Sequence, residues 1–292
     1  MTDRPLRAPT FAAPRFAMTR RTRASAIAAI GAFFVVLILA ALPIFVDRGP
    51  LQSLFFVFTM LALAQYWNLL AGYAGLVSVG QQAFVGLGGY ALFALATFGG
   101  VDPLLAVPIA GAIAALVALP SAWLVFRLQG AYFAIGTWVL AEVFRLVLAQ
   151  VKPLGGGTGT SLSKAAADGS ILVKAIAAAT GMRSAAARDV AAYWLALALA
   201  VFATALVYGL LRSRRGLALA AVRDNEAAAG SLGVDPFRLK LLAYVVVAFG
   251  TGMCGALIYL KKARISPDAA FSVVEWSANV LFIGGVANTA SA

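Results

Sequence analysis

Ionisable and amide side chains that could do chemistry cluster in three stretches of an otherwise apolar sequence. The first is 211–240, LRSRRGLALAAVRDNEAAAGSLGVDPFRLK, where Arg212, Arg214, Arg215, Arg223, Arg238 and Lys240 stand against Asp224, Glu226 and Asp235. Its residue types spell a short helix. Asn225 can cap it, Glu226 places an acid at the positive end of the helix dipole, Ala227, Ala228 and Ala229 favour helix, and Gly233 is placed to end it. Asp235-Pro236 then reads as an N-cap and first-turn proline opening the next helix. A helix this short is marginal alone in water and needs something to pack on. Two readings stay open: a plain basic loop on the inner side of a membrane, or a docking helix whose small Ala/Gly face, Gly230 included, enters a partner's groove while the charges orient it.

The second stretch is 68–90, NLLAGYAGLVSVGQQAFVGLGGY, where six glycines and Ser78, Gln81 and Gln82 interrupt an apolar run. Inside a bilayer such groups must be satisfied internally. They serve either close helix packing through small residues or a broken segment lining a solute path, with Gly80, Gln81 and Gln82 as the lining residues. The third is Glu142 and Arg145, three apart on one helix face and able to pair. Ionisable groups at membrane depth are costly and face a bundle interior or water. A structural ion pair and a place in the path are the alternatives.

Other chemistries are excluded by what the sequence lacks. With no histidine and one cysteine, Cys254, neither a disulfide within the chain nor a His/Cys metal cluster can form. No lysine follows a glycine-rich phosphate loop, and GxSxG and HExxH do not occur. The chain therefore reads as a non-enzyme that binds no cofactor of its own. Its net charge of +12 is read as inner loops facing anionic lipid rather than as a nucleic-acid surface.

The elements that must position these residues are membrane helices. The sequence has 292 residues, 62% hydrophobic and 12% charged, with mean hydropathy +0.92, whereas soluble domains carry about 25% charge. The fold class is all-α and polytopic. Residues 1–24, with six arginines and three prolines, read as a disordered basic tail, and 25–292 as one transmembrane domain. Spans are placed at 25–46, twice within the uncharged run 49–101 (about 80 Å as helix), then at 103–126, 130–151, 190–211, 241–260 and, short or truncated, 276–292. That makes about eight. The run 25–46 is too long for a signal peptide's apolar core. With an inner N-terminus, 13 of the 23 Lys and Arg fall inside, 9 outside and Arg145 within the membrane, as positive-inside bias requires. The loop 152–189 lies outside, and 212–240 inside.

Five motifs in order carry a resemblance: 68–90, then FRLQGAYFAIGTWVLAEVFRLVL (126–148), GGGTGTSL (155–162), RGLALAAVRDNEAAAGSLGVDPFRLKLLAYVVVAFGTGMCGALI (215–258) and ISPDAAF (265–271). Together they resemble the larger, M-type permease subunit of branched-chain amino acid (LIV-type) ABC importers, over about 50–286. Urea and amide importers have similar permeases. The resemblance implies a multi-pass inner-membrane subunit forming half of a translocation path. It would pair with a second permease, two cytoplasmic ATPases that use ATP and Mg, and a periplasmic substrate-binding protein. It also implies that Arg223, Asp224, Asn225, Glu226, Ala227, Ala228 and Gly230 match the family's ATPase-coupling segment. Family members continue past 283–285 through a further helix, so a truncated or altered C-terminus is expected of a chain stopping at Ala292. An ion-driven secondary carrier is the alternative from another class.

Overall fold

The computed structural model describes residues 23–162, 170–280 and 283, and the basic tail up to residue 22 lies outside them. Two compact units are distinguished, 1–42 and 43–292. The first contributes α1 (Arg23–Ala41). Its large apolar side chains, among them Ile27, Ile30, Phe33, Phe34 and Leu37, are exposed, the surface of a helix whose solvent is lipid.

The second unit contains the bundle. Its elements are α2 (Arg48–Asn68), α3 (Gln81–Phe98), α4 (Pro103–Val125), α5 (Ala131–Ala149), α6 (Ile171–Thr180), α7 (Ser184–Leu211), α8 (Arg214–Asp224), α9 (Glu226–Ser231), α10 (Pro236–Lys262) and α11 (Pro267–Ala270). At its centre lies α10, packed on α3, α4 and α2, while α7 packs on α2. Small residues make this closeness possible. Ala106, Ala110, Ala114, Ala118 and Ala122 form a fully buried i, i+4 row along α4. Facing them, a Cβ at Gly252 would stand 2.6 Å from Ala114 Cβ and 3.2 Å from Gly111 Cα. Where the hydrophobic effect between helices is absent, such backbone approach supplies the packing.

Asp102 fixes the junction between α4 and α6. It caps α4 by accepting from Leu104 N at 2.8 Å, and it also accepts from Ser170 Oγ at 3.2 Å and Ile171 N at 2.8 Å. Two short strands, β1 (Thr160–Ser161) and β2 (Arg264–Ile265), pair antiparallel in the register Thr160–Ile265 and Ser161–Arg264. They tie the glycine-rich stretch 155–162 to the turn after α10.

Several boundaries differ from those placed on sequence. Among the described residues six helices are long and apolar enough to cross a membrane, the runs Ile27–Ile44, Arg48–Tyr73, Pro103–Val125, Ala131–Ala149, Ser184–Leu211 and Pro236–Lys262. The 18-residue α3, with Gln81, Gln82 and its glycines, falls outside that set. α7 and α10 each begin several residues early, at Ser184 and Pro236, because isolated charges such as Arg188 and Lys240 sit inside their end turns. The last expected span opens with a π-helical turn, Val273–Ala278, and most of it lies outside the described residues.

Candidate functional site: a broken crossing beneath an exposed two-helix loop

The glycine-rich stretch 68–90 is a helix, a break and a second helix. α2 runs on through a π turn, Leu69–Tyr73. Gly75 then takes the left-handed conformation, φ +69°, that ends helices. The chain turns back on itself over 74–80. Trp67 Nε1 donates to Ser78 O at 3.0 Å, and Gln81 Nε2 donates to Leu63 O at 3.0 Å. Residue 81 therefore starts α3 beside residue 63, about 15 Å short of the end of the α2 run. One crossing is thus non-helical for part of its depth, with Ala74, Leu76, Ser78 and Gly80 buried and Gly75 and Val77 exposed, backbone that a membrane tolerates only where protein covers it or a water-filled cavity lies beside it.

Its polar groups are mostly satisfied inside the bundle. Val79 N donates to Thr137 Oγ1 at 3.2 Å, and Gln81 Nε2 also donates to Thr251 Oγ1 at 3.2 Å. Ser277 Oγ donates to Gln82 Oε1. Gly80 lies where a Cβ would collide with the Thr137 backbone. Gln81 and Gln82 are buried; among the described residues, Gln81 Oε1 and Gln82 Nε2 find no hydrogen-bond partner.

Glu142 and Arg145 stand elsewhere, further along α5 from Thr137. Arg145 Nη2 lies 2.6 Å from Glu142 Oε1, and Arg145 Nη1 lies 2.7 Å from Asp268 Oδ1. One guanidinium thus serves two carboxylates, a geometry suited to its fork of donors. The cluster is partly exposed, beside an apolar face of α5 that bares Trp138, Val139, Val143 and Leu146.

The stretch 211–240 holds one more helix than its charges suggested, α8. The second helix has the caps read from sequence. Asn225 Oδ1 accepts from Ala228 N at 2.9 Å, and Asp235 Oδ1 accepts from Arg238 N at 3.2 Å. Glu226 pairs with Lys240 at 2.5 Å, fixing α9 to the first turns of α10. Ala229 is buried, whereas Ala227, Ala228 and Gly230 are exposed, and a Cβ at Gly230 would meet open space. Leu217 and Leu232 are exposed at 77% and 83%, two large apolar side chains that charge-based reading passed over. Arg223 turns the other way: its Nη1 donates to Gly72 O at 2.9 Å while its Nη2 lies 3.0 Å from Asp224 Oδ1. A cavity of about 680 Å³ lies between the loop, the break and the α4–α5 turn, lined among others by Gly75, Val77, Phe126, Phe133, Arg223, Glu226 and Lys240.

The site residues named from sequence thus fall into three groups: the loop, the start of α3 at the break, and the partly exposed cluster on α5. The structure joins the first two through Arg223 and leaves the third apart. Asp268, Thr251 and Ser277 complete these contacts; each lies 123 to 195 residues from its partner and gives no local signal.

A helical bundle of apolar spans with one broken crossing defines a class: a multi-pass membrane protein. Residues 49–292 match the family model described as branched-chain amino acid transport system / permease component, and the chain belongs to that family. It is 28% identical over 270 residues to the high-affinity branched-chain amino acid transport system permease protein LivM of Escherichia coli (strain K12), covering 87% of this chain and 63% of that protein. To the protein of the same description from Salmonella typhimurium it is 26% identical over 266 residues, covering 86% and 62%. The chain therefore spans a little under two thirds of the length of these relatives. No solved structure matches it. Six apolar helices and the family together make it a multi-pass protein of the bacterial inner membrane.

Proposed function

We propose that this chain is a permease subunit of an ATP-driven importer for branched-chain and other hydrophobic amino acids, forming half of the translocation path. Two cytoplasmic ATPases, consuming ATP and Mg, dock on the α8–α9 loop, and a second permease and a periplasmic binding protein complete the importer. This chain itself binds no nucleotide.

One observation carries the reading: the bare face of Ala227, Ala228 and Gly230, held at a fixed angle by the Asn225 cap and the Glu226–Lys240 pair. A small-residue face followed directly by exposed Leu232, on a loop that also exposes Leu217, is a shape for a groove in a partner. The half-buried break is the transport element. Unpartnered Gln81 Oε1 and Gln82 Nε2 give a passing solute polar contacts that the bundle does not consume, and Gly80 lets the break press on α5. Further along α5, Glu142 and Arg145, with Asp268, present both charge signs to a zwitterion.

Ala228→Trp tests the docking face. It adds bulk where the fold has none, so the chain still assembles in the membrane while ATPase co-purification falls. Undiminished recovery of both ATPases would remove the face from the interface.

A further inference from the structure

Resting on that reading, we infer that Arg223 is a positioning residue: not a docking contact, but the inward grip by which the α8–α9 loop controls the broken crossing through the Gly72 carbonyl. The other coupling residues point outward or brace α9. Arg223 reaches across 151 residues of sequence to the end of the α2 run. That end is where a cation has most to hold. The last carbonyls of a helix lack partners, the dipole makes them negative, and past Tyr73 the chain leaves the helical path. A guanidinium bonded to one of them is charge-assisted and directional.

The contact is also close. A Cβ on Gly75 would come within 3.2 Å of Arg223 Cγ, at a φ of +69° that side chains rarely adopt. Glycine here lets the Arg223 stem lie on the chain reversal itself. The segment that follows that reversal is anchored to two helices, by Val79 to Thr137 on α5 and by Gln81 to Thr251 on α10. Displacing Arg223 therefore moves the break and reaches the helices it is bonded to. The cavity of about 680 Å³ beside it, walled by 74–77, the α4–α5 turn and 222–226, gives the loop room to travel. A mere helix cap would need none of these further links.

The test uses the full complex, reconstituted with its ATPases and binding protein. Parent, Arg223→Gln, Arg223→Lys and Gly75→Ala are compared for ATPase recovery, basal hydrolysis and amino acid transported per ATP. In Arg223→Gln and Gly75→Ala, recovery and basal hydrolysis match the parent, while transport per ATP falls roughly tenfold, the scale of one lost charge-assisted hydrogen bond. Arg223→Lys, which keeps the charge and a donor, retains most of the coupling. As a second readout, Cys254 is replaced by Ser and Val77→Cys reports on the break; Val77 is 49% exposed. Its thiol-labelling rate changes on vanadate trapping in the parent and no longer does so in Arg223→Gln. Loss of the ATPases from Arg223→Gln would make Arg223 a docking residue and overturn the inference. So would unchanged transport per ATP, or a vanadate response that persists without the arginine. A parent chain that recruits no ATPase would instead overturn the importer reading on which the inference stands.

Discussion

Gln81 shows how little of the chemistry here is local. Its amide bridges the Leu63 carbonyl and the Thr251 hydroxyl, so one side chain fastens the start of α3 to both α2 and α10. Hydrogen bonds between membrane helices average about 0.6 kcal/mol in double-mutant cycles. Gln81→Leu and Thr251→Val, alone and combined, should show a coupling of about that size in thermal or denaturant stability of the purified complex; strictly additive losses would mean the contact contributes nothing. Gln82→Leu should lower uptake while assembly survives, and normal uptake would place Gln82 in packing alone. The residue types were legible in the sequence: amides and glycines in an apolar run announced a special segment, and Glu142 with Arg145 announced a pair. The partners were not. Asp268 on Arg145, Ser277 on Gln82 and Gly72 on Arg223 are set by how distant helices meet, and no periodicity encodes that.

Elements announced themselves where their ends carry chemistry. Asn225 and Asp235 cap the helices they were expected to cap, because a short acceptor side chain followed by alanines or proline has few other uses. Asp102 does more, serving the starts of α4 and α6 together. Asp102→Ala should therefore cost about 1–2 kcal/mol, read as a lower melting temperature, and Asp102→Asn, which keeps one acceptor, should cost less. Equal losses would show that the side-chain acceptor is not what counts. α8 was missed because its apolar residues, 217–222, form one short unbroken run between charged ends rather than a helically spaced stripe, and only packing shows that Leu219 and Val222 are buried. The close approach of α10 to α4 makes a second prediction. Gly252→Ala would push a Cβ to 2.6 Å from Ala114 Cβ, and it should destabilise the bundle by about 1–3 kcal/mol as overpacking does. Gly230→Ala, facing open space, should leave the melting temperature unchanged or slightly raised; a comparable loss there would contradict the packing argument.

At the scale of the molecule, composition alone specified a polytopic helical bundle, and apolar runs between charged loops placed most spans within a few residues. The depth at which α3 starts was beyond the sequence. An uncharged run of glycines and amides is equally compatible with a straight helix, and only the Gln81–Leu63 and Trp67–Ser78 contacts show the chain folding back. On the proposed function, this bundle couples ATP hydrolysis by partner subunits to inward movement of a hydrophobic amino acid. That coupling is tested most directly by uptake of labelled leucine, with urea and a sugar as controls, in cells lacking and then regaining this chain together with its neighbouring genes. Proton and sodium gradients are collapsed while ATP is held. Leucine uptake should survive the collapse and vanish when the ATPase subunits are removed. Uptake that dies with the gradient and persists without the ATPases would contradict it and make the chain an ion-driven carrier.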